Sequence, residues 1–339
     1  MNTYILNTLS TGLATIKMLE QYLDIDGIIG LSQRNASDAI SGYIYMYPYC
    51  LDRKTSFVEV EDYSLLSNHD RDILLQLEID ILVVLGWQRL VPQWLIDHCG
   101  ICAIGIHGSS SGITGGRGRS PQTWALLLGK EEFTLSVFCL TEGIDSGPII
   151  DSRTFPIQQS DDIKISYYKV GMLTAEMIFE WVRSESPPPS EQDTRDSDAR
   201  YLPQRRPEDG GIDWNRTSEA IHNFIRALTR PYPGAYTTVA GHQIHIWEGR
   251  PFDLGHFNQK FIPGTIVQVF PNGDILVKSS DSFFLVEEYS VSGSPGEFTL
   301  EEGLIFESTN FREQCQTIVA RHFQRYPELT LSDDVLDQI

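Results

Sequence analysis

Apolar runs alternate with helix-like stretches over the first half of the chain. Strands are predicted where short runs are rich in apolar residues, at residues 3–8, 26–31, 81–85, 101–106 and 133–140. Helices are predicted where apolar residues recur at helical spacing, at residues 11–23, 70–78, 119–129 and 161–183. Strands separated by helices are typical of a mainly parallel sheet covered on both faces. We therefore predict a Rossmann-like α/β domain over residues 1–183.

A different pattern begins after a polar, proline-rich segment at residues 184–208, which cannot bury a face and is predicted to be a linker. Residues 218–229 show apolar residues at helical spacing, and five short β-rich runs follow them, with a strong hairpin signal at Asn272-Gly273. This pattern predicts a small OB-like β-barrel domain with a leading helix over residues 209–310. A helical tail is predicted over residues 311–339.

The chain is strongly acidic. Its 339 residues include 26 Lys and Arg against 46 Asp and Glu, for a formal net charge of −20. Proteins that bind nucleic acid neutralise phosphates with clustered basic residues, so broad contact with tRNA or DNA is not expected. Hydrophobic residues make up 41% of the chain, which is enough for a sizeable core and excludes a disordered or fibrous protein.

The sequence pattern does not indicate a membrane partner or a secretory leader. No apolar run reaches the roughly eighteen residues of a membrane-spanning helix, and the N-terminus lacks a basic start before its apolar residues. We expect the protein to be mature from residue 1.

Five cysteines, at positions 50, 99, 102, 139 and 315, are too few and too scattered for a disulfide framework. A reducing cytoplasm is therefore the expected compartment.

Residues with catalytic potential concentrate between positions 86 and 148, in four motifs at the ends of predicted strands. These motifs are GWQRLVP, IGIHGSSSG, RGRSPQTWALLLG and TEGIDSGPII. In open α/β sheets, ligands bind at the carboxyl ends of the strands. His107 ends one strand and Asp145 lies in a glycine-flanked loop; a carboxylate beside an imidazole orients the ring and allows proton transfer near neutral pH. A structural role for a single strand-end histidine stays open at this point.

Other patterns give weaker signals. Cys99 and Cys102 have the C-x-x-C spacing of redox and zinc sites, yet no second pair or histidine cluster accompanies them. His242 and His245 fall on opposite faces of an alternating strand and cannot form a simple two-ligand site. The early NTLSTG segment lacks the G-x-G-x-x-G fingerprint of dinucleotide binding. We predict no metal site and no bound NAD.

Three ordered motifs resemble the folate-dependent formyltransferase family: RGRSPQTWAL at 117–126, EGIDSGPII at 142–150 and DGGIDWNRTSEAIHNFIRALTRPYPGAY at 209–236. The resemblance spans nearly the whole chain and is closest to nucleotide-sugar N-formyltransferases such as the enzyme that modifies 4-amino-arabinose. It implies transfer of a formyl group from the donor N10-formyltetrahydrofolate to an amino group of a nucleotide-linked sugar, in surface polysaccharide biosynthesis. Methionyl-tRNA formyltransferase shares the two-domain layout, but the acidic charge argues against a tRNA acceptor.

The resemblance also implies a catalytic triad of Asn, His and Asp, of which His107 and Asp145 match while the Asn position is Gly105. The following GSSSGITGG replaces the usual Pro-Ser-Leu-Leu-Pro and is about two residues longer, and only Ser109 keeps its place. In the family reaction, the Asn and the protonated His donate hydrogen bonds to the oxyanion that forms when the amine attacks the formyl carbon. Losing one such donor costs about a hundred- to a thousandfold in rate elsewhere.

Three explanations of Gly105 remain open. A serine from 109 to 111, Gln122 or a backbone N–H of the Gly/Ser loop supplies the missing donor. In the second explanation, enlarged space at Gly105 admits a different acyl group or a different donor molecule. In the third, the site is inactive and the protein only binds its ligands. Restoring Asn at this position is expected to accelerate a weakened formyltransferase and to damage a rearranged site.

The resemblance further implies which residues bind the two ligands. The folate-lining residues are expected to be Gly86, Trp87, Gln88, Leu90, Ile144 and Asp145, although a plain turn explains Gly86 and a packed aromatic explains Trp87 equally well. Positive side chains would hold the diphosphate of the acceptor, and the substrate-binding residues are expected to be Ser109, Arg117, Arg119, Arg230 and Tyr232. A structural role at the domain junction fits the last two equally well. The amphipathic helix predicted at 311–324 is compatible with a homodimer.

Overall fold

The computed structural model describes residues 1–36, 40, 42–192, 198–255, 260–292 and 298–339. The chain packs as two compact units. Unit 1 comprises Met1–Arg117, Thr134–Phe155 and Tyr167–Ala199, and unit 2 comprises Gly118–Phe133, Pro156–Ser166 and Arg200–Ile339. Neither unit is contiguous in sequence, whereas the sequence pattern predicted contiguous domains separated by residues 184–208.

The elements up to residue 183 alternate between strands and helices. They are β1 (Thr3–Asn7), α1 (Ser10–Leu19), β2 (Gly27–Leu31), α2 (Tyr47–Arg53), β3 (Ser56–Val60), α3 (Asn68–Leu74), β4 (Ile81–Gly86), α4 (Gln93–His98), β5 (Cys102–Ser109), α5 (Gly112–Gly115), β6 (Arg117–Gly118), α6 (Pro121–Leu127), β7 (Glu132–Cys139), β8 (Ile149–Pro156) and α7 (Ile163–Arg183). All nine elements predicted from the pattern in this part of the chain are present, with ends shifted by a few residues.

A seven-stranded sheet in the order β3-β2-β1-β4-β5-β7-β8 forms the centre of unit 1. The first five strands of this order are parallel, and β7 is antiparallel to β5. β2 is buried at every position, as a strand of a covered parallel sheet must be. The predicted mainly parallel α/β class is confirmed. β5 extends to Ser109, three residues beyond its predicted end, so His107 lies within the strand opposite Ser136 of β7.

A disulfide joins Cys102, the first residue of β5, to Cys139, the last residue of β7. The sequence predicted no disulfide framework, and this bond is a single pair among five cysteines; their number and spacing along the chain gave no sign of it. Pairing of two antiparallel strands brings the Cα atoms of these residues to 5.8 Å although they are 37 residues apart. A disulfide is uncommon in the reducing compartment that the sequence predicted.

Unit 2 contains the remaining elements. They are β9 (Tyr201–Leu202), α8 (Ser218–Leu228), β10 (Ala235–Val239), β11 (His242–Phe252), β12 (Ile266–Val269), β13 (Ile275–Lys278), β14 (Phe283–Val291), α9 (Phe311–Arg325) and α10 (Asp333–Leu336). The last five strands form an antiparallel sheet in the order β10-β11-β14-β13-β12. This sheet is the predicted small β-rich domain.

Residues 304–307 join the two edges of that sheet. At one edge, the N–H of Glu307 donates to the carbonyl oxygen of Thr238 at 2.7 Å. At the other, the N–H of Ile266 donates to the carbonyl oxygen of Leu304 at 2.8 Å. The segment therefore closes the open sheet toward a barrel and pairs edge groups that would otherwise face solvent.

The predicted linker is tied to its neighbours on both sides of residues 193–197, which lie outside the described part of the chain. Within unit 1, Ser190 and Ile149 exchange two backbone hydrogen bonds of 2.7 and 2.8 Å. Within unit 2, the carbonyl oxygen of Pro203 accepts a hydrogen bond from Trp124 Nε1 at 2.9 Å. Among the helices that the structure describes, none is long and apolar enough to cross a membrane.

Candidate functional site

His107 and Asp145 lie side by side in unit 1. β5 carries His107, and the loop that follows β7 carries Asp145. The distance from His107 Nδ1 to Asp145 Oδ2 is 3.4 Å, and their side chains are 8% and 21% exposed. The structure therefore brings together the two residues that the sequence predicted as a catalytic pair, in a place that is largely screened from bulk water.

The second ring nitrogen of His107 also faces an acceptor. Its Nε2 lies 2.7 Å from the carbonyl oxygen of Gly116. A neutral imidazole donates from one nitrogen only, whereas an imidazolium donates from both. A ligand can use Nε2 only when it replaces the Gly116 carbonyl, so the loop between β5 and β6 controls access to this nitrogen.

The loop that carries Asp145 has a tight, defined conformation. Asp145 has a φ of +50°, in the left-handed region that Asp tolerates better than most residues. A Cβ at Gly147 would lie 1.7 Å from the carbonyl oxygen of Cys139, so only glycine fits there. The N–H of Cys139 donates to the carbonyl oxygen of Pro148 at 2.9 Å. The Asp-x-Gly spacing of the motif thus reflects a loop folded back onto the end of β7.

Gln192, which the sequence placed in the linker, contacts this loop. Its Nε2 donates to the carbonyl oxygens of Asp145 at 3.0 Å and Gly147 at 2.8 Å. Its Oε1 accepts from Arg117 Nη2 at 3.1 Å. Arg117 is 2% exposed, so its guanidinium is buried beside Gln192, whereas the sequence predicted a contact with substrate. No pattern along the chain identifies Gln192, because its partners lie 45 to 75 residues away.

Gly105 shares one face of β5 with His107, two residues further along the strand. A Cβ at position 105 would lie 2.6 Å from Leu140 Cδ2 and 2.8 Å from Phe138 Cζ. Atoms of side chains do not approach this closely, so Phe138 and Leu140 already fill the space. This finding contradicts the explanation that an enlarged space at Gly105 admits a different acyl group.

Two side chains named as replacement donors have intramolecular partners. Ser109 Oγ donates to the carbonyl oxygen of Gly112 at 2.6 Å and accepts from the N–H of Ser111 at 3.1 Å. Ser109 therefore closes the turn after β5. In unit 2, Gln122 Oε1 accepts from Ser166 Oγ at 2.7 Å.

The residues expected to line the folate pocket have differing environments. Gly86 ends β4, and a Cβ there would lie 1.9 Å from Asn7 Oδ1, so the Asn7 amide fills the space beside Gly86. Trp87 is 9% exposed and belongs to a hydrophobic core cluster of unit 1, and its ring meets that of Tyr63 edge-on with 4.8 Å between the ring centres. Gln88 and Leu90 are exposed, and Ile144 is half-buried.

Buried polar atoms gather at the carboxyl edge of the parallel strands. Four of them make no hydrogen bond to the described residues: Asn7 Oδ1, Thr8 Oγ1, Ser32 Oγ and Trp87 Nε1. They lie at or directly after the ends of β1, β2 and β4. Buried polar groups are nearly always paired, and this edge is where open α/β sheets bind ligands. Asn7 Oδ1 lies between Gly12 and Gly86, where an added Cβ would approach it to 1.8 and 1.9 Å, so packing surrounds this atom. Thr8 Oγ1, Ser32 Oγ and Trp87 Nε1 fit a ligand that carries both donors and acceptors.

Arg119, Arg230 and Tyr232 belong to unit 2, whereas His107 and Asp145 belong to unit 1. Arg119 is exposed, and its N–H donates to the carbonyl oxygen of Leu202 at 3.0 Å. Arg230 forms a 2.8 Å ion pair with Glu288, and its guanidinium lies 4.3 Å from the centre of the Trp247 ring. Tyr232 donates its N–H to the carbonyl oxygen of Thr229 at 3.1 Å.

Cysteine and histidine positions offer no metal centre in the part of the chain that the structure describes. No group of three or more His, Cys, Asp or Glu side chains there could hold a metal ion. Cys102 is in the disulfide, and burial raises the pKa of the Cys99 thiol to about 12. A thiol with that pKa is almost entirely protonated at neutral pH, so Cys99 is a poor nucleophile and a poor metal ligand.

An open α/β sheet with an ionisable pair at its carboxyl edge, followed in the same chain by a small antiparallel β domain, defines a two-domain α/β enzyme architecture. Two family models match the chain. Residues 53–181 match "Formyl transferase", and residues 205–295 match "Formyl transferase, C-terminal domain". The chain belongs to the formyltransferase family.

Individual relatives carry several names. A methionyl-tRNA formyltransferase of Staphylococcus epidermidis is 29% identical over 230 residues, which cover 68% of this chain and 72% of the relative. HypX from Aquifex aeolicus in complex with tetrahydrofolic acid has a TM-score of 0.58 at 15% identity, covering 98% of this chain and 48% of HypX. An N-formyltransferase from Helicobacter canadensis, in complex with folinic acid and dTDP-3-aminofucose, has a TM-score of 0.57 at 15% identity, covering 86% of this chain and 100% of that chain. This chain thus spans about half the length of HypX, and likeness at these identities shows the fold alone.

Proposed function

We propose that this chain transfers a formyl group from N10-formyltetrahydrofolate to an amino group of a nucleotide-linked amino sugar. The observation that carries the proposal is the His107–Asp145 pair, 3.4 Å apart at the carboxyl edge of the sheet of a formyltransferase-family chain. Formyl transfer to an amine needs a group that stabilises negative charge on oxygen and a group that handles a proton, and a histidine held by a carboxylate provides both.

The residues at the strand ends fit a reduced folate. A pterin ring presents hydrogen-bond donors and acceptors along one edge, and Trp87 Nε1 is a buried donor that the described residues leave unpaired. Leu90, which is 66% exposed and follows Trp87 by three residues, and the half-buried Ile144, which precedes Asp145, offer apolar contacts. When bound, the folate supplies the formyl carbon that the amine attacks.

Each member of the pair has a definite task. Asp145 orients the ring through Nδ1 and stabilises its positive charge. His107 holds a proton at Nε2, and this proton is available to a ligand oxygen once the ligand replaces the Gly116 carbonyl. Gly105 has no side-chain amide, so His107 is the side-chain oxyanion donor that this chain retains from the triad implied by the resemblance. The backbone of the Gly/Ser loop is the candidate for the second donor.

The charge of the chain supports an amino-sugar acceptor. A tRNA acceptor requires a protein surface that neutralises many phosphates, and a net charge of −20 does not favour one. A nucleotide sugar carries only a diphosphate, for which a few local cations suffice. Arg119 and Arg230 remain candidates for this role, whereas Arg117 is buried. Methionyl-tRNA is the second candidate acceptor, since the Staphylococcus epidermidis relative bears that name.

The experiment joins a binding titration to a turnover assay. The stable analogue 5-formyltetrahydrofolate is titrated into wild-type protein, His107→Ala and the matched control His69→Ala, which changes an exposed histidine of unit 1. Formylation of nucleotide-linked amino sugars and of methionyl-tRNA at low salt is then compared. We expect all three proteins to bind the analogue and only His107→Ala to lose sugar formylation.

Two results would contradict the proposal at different points. Absence of binding at millimolar analogue by folded wild-type protein would remove the folate donor. Formylation of methionyl-tRNA without formylation of any amino sugar would keep the reaction and change the acceptor.

A further inference from the structure

The side-chain amide of Gln192 uses both of its N–H donors at the Asp145 loop and accepts a hydrogen bond from Arg117. Both hydrogens of Nε2 are directed at carbonyl oxygens, those of Asp145 at 3.0 Å and Gly147 at 2.8 Å. Oε1 accepts from Arg117 Nη2 at 3.1 Å. A flipped amide would place N–H groups against the guanidinium and an oxygen against two carbonyls, so the observed orientation is the one that satisfies every group.

The backbone next to Gln192 is held in register with the same loop. Ser190, two residues earlier, exchanges hydrogen bonds of 2.7 and 2.8 Å with Ile149, the first residue of β8. The loop with Asp145 ends immediately before Ile149. Ser190 and Ile149 therefore form an isolated antiparallel bridge at the end of the loop, and this bridge places Gln192 beside the Asp145 and Gly147 carbonyls.

The loop needs such support at Asp145. A φ of +50° is a conformation that non-glycine residues adopt rarely, although Asp tolerates it better than most, so contacts with neighbouring residues help to hold it. The hydrogen bond from Gln192 reaches the carbonyl of Asp145 itself, so it fixes the peptide unit directly after the strained residue. With the second hydrogen bond to the Gly147 carbonyl, Gln192 holds both ends of the turn over residues 145–147, and this turn sets the Cα position from which the Asp145 carboxylate reaches His107 Nδ1.

From these contacts we infer that Gln192 is a positioning residue, which holds the Asp145 loop in the conformation that pairs Asp145 with His107. Arg117 completes the arrangement, because its guanidinium orients the Gln192 amide. The importance of this contact for catalysis rests on the proposed formyltransferase function. Its effect on the loop is independent of any activity.

The first measurement is hydrogen exchange of the full-length protein in the absence of ligand. Gln192→Leu removes all three hydrogen bonds at similar volume, Gln192→Glu keeps an acceptor for Arg117 and removes both donors, and Glu191→Gln changes the exposed neighbour as a control. We expect both Gln192 variants to increase exchange at least about tenfold in residues 141–147, with no change in the β-strands of unit 2. Unchanged exchange of the loop in either Gln192 variant would overturn the inference.

The second measurement is a double-mutant cycle with Asp145→Asn, using formyl transfer. We expect Gln192→Leu to lower kcat about tenfold in the wild-type background. In the Asp145→Asn background, we expect it to change kcat less than about twofold, because Gln192 acts through Asp145. Equal losses in both backgrounds would overturn positioning through Asp145. If wild-type protein formylates no acceptor while the loop loosens in both variants, the proposed function fails and the positioning of the loop stands.

Discussion

Phe138 fills the space that a side chain at residue 105 would occupy. Gly105 and Phe138 are directly paired across β5 and β7, and Phe138 Cζ would lie 2.8 Å from a Cβ at position 105. Phe138 is 1% exposed, so its ring has little room to move. The glycine and the phenylalanine are therefore complementary, and replacing one of them alone disturbs the packing beside His107.

We predict that Gly105→Asn lowers the free energy of unfolding by about 1–3 kcal/mol, because it overpacks the core. Simple restoration of the family asparagine should therefore fail to raise kcat. Unfolding in urea measures the change in stability, and formyl transfer measures kcat.

Phe138→Leu provides the matched test of this packing. The double variant Gly105→Asn with Phe138→Leu should be more stable than the sum of the two single changes predicts, by about 0.5–3 kcal/mol of coupling. Gly105→Asn with wild-type stability would show that the ring moves aside at little cost, contrary to the packing seen here.

The sequence pattern predicted those elements whose buried face is visible in the order of apolar and polar residues. β1, β2 and β4 are short apolar runs, and α8 shows a clear apolar face, so each could be recognised without its neighbours. β8 was not predicted, because its sequence IIDSRTFP places four polar or charged residues between two isoleucines and one phenylalanine, and it lies at the edge of the sheet. α2 was not predicted because its YPYCLDR sequence has a proline and little periodicity.

In the candidate site, too, the local motifs were predicted and the long-range contacts were not. His107 and Asp145 were predicted from motifs at strand ends. The contacts that shape the pair were not, because they join residues distant in sequence: Cys102 with Cys139 across 37 residues, and Gln192 with Gly147 across 45. Spacing along the chain carries no record of such contacts, which depend on the order of strands in the sheet and on the path of the segment after α7.

The second prediction concerns the catalytic pair. His107→Ala should lower kcat about a hundred- to a thousandfold, the effect of removing one oxyanion donor, while affinity for 5-formyltetrahydrofolate changes less than about threefold. Asp145→Asn keeps the size of the side chain and removes the charge that holds the ring. Steady-state kinetics with His69→Ala as the control measures these effects; a His107→Ala variant of wild-type kcat would exclude histidine catalysis.

The third prediction concerns the disulfide. Closing a loop between residues 37 apart restricts the unfolded chain, and loop entropy gives about 4 kcal/mol for a loop of this length. Cys102→Ser with Cys139→Ser should therefore unfold at a clearly lower temperature than wild-type protein under non-reducing conditions. Addition of a reductant should lower the Tm of the wild type toward that of the variant and leave the variant unchanged.

Cys99→Ser is the matched control for the disulfide, since Cys99 is a free, half-buried thiol of unit 1. Its Tm should respond to reductant as the wild type does. Mass spectrometry after alkylation of denatured, unreduced wild-type protein should show three modified cysteines. Five modified cysteines would mean that the bond does not form.

The last prediction concerns pH. His322 in α9 is 8% exposed and lies 5.7 Å from the ring centres of both Phe323 and Tyr326. Burial lowers the pKa of His322 below its usual value of 6.5, and a backbone hydrogen bond at Leu329 and the charge of Glu328 oppose this only in part. Below pH 6.5 the unfolded chain therefore binds a proton at His322 more readily than the folded protein does. The contribution of His322 to the free energy of unfolding therefore falls as the pH decreases from about 6.5 toward the folded-state pKa. His322→Gln removes this contribution, so the variant should lose less stability than the wild type between pH 7 and pH 5 in urea unfolding, whereas His69→Gln should follow the wild-type curve. Parallel curves for the wild type and His322→Gln would show that His322 titrates alike in the folded and unfolded states.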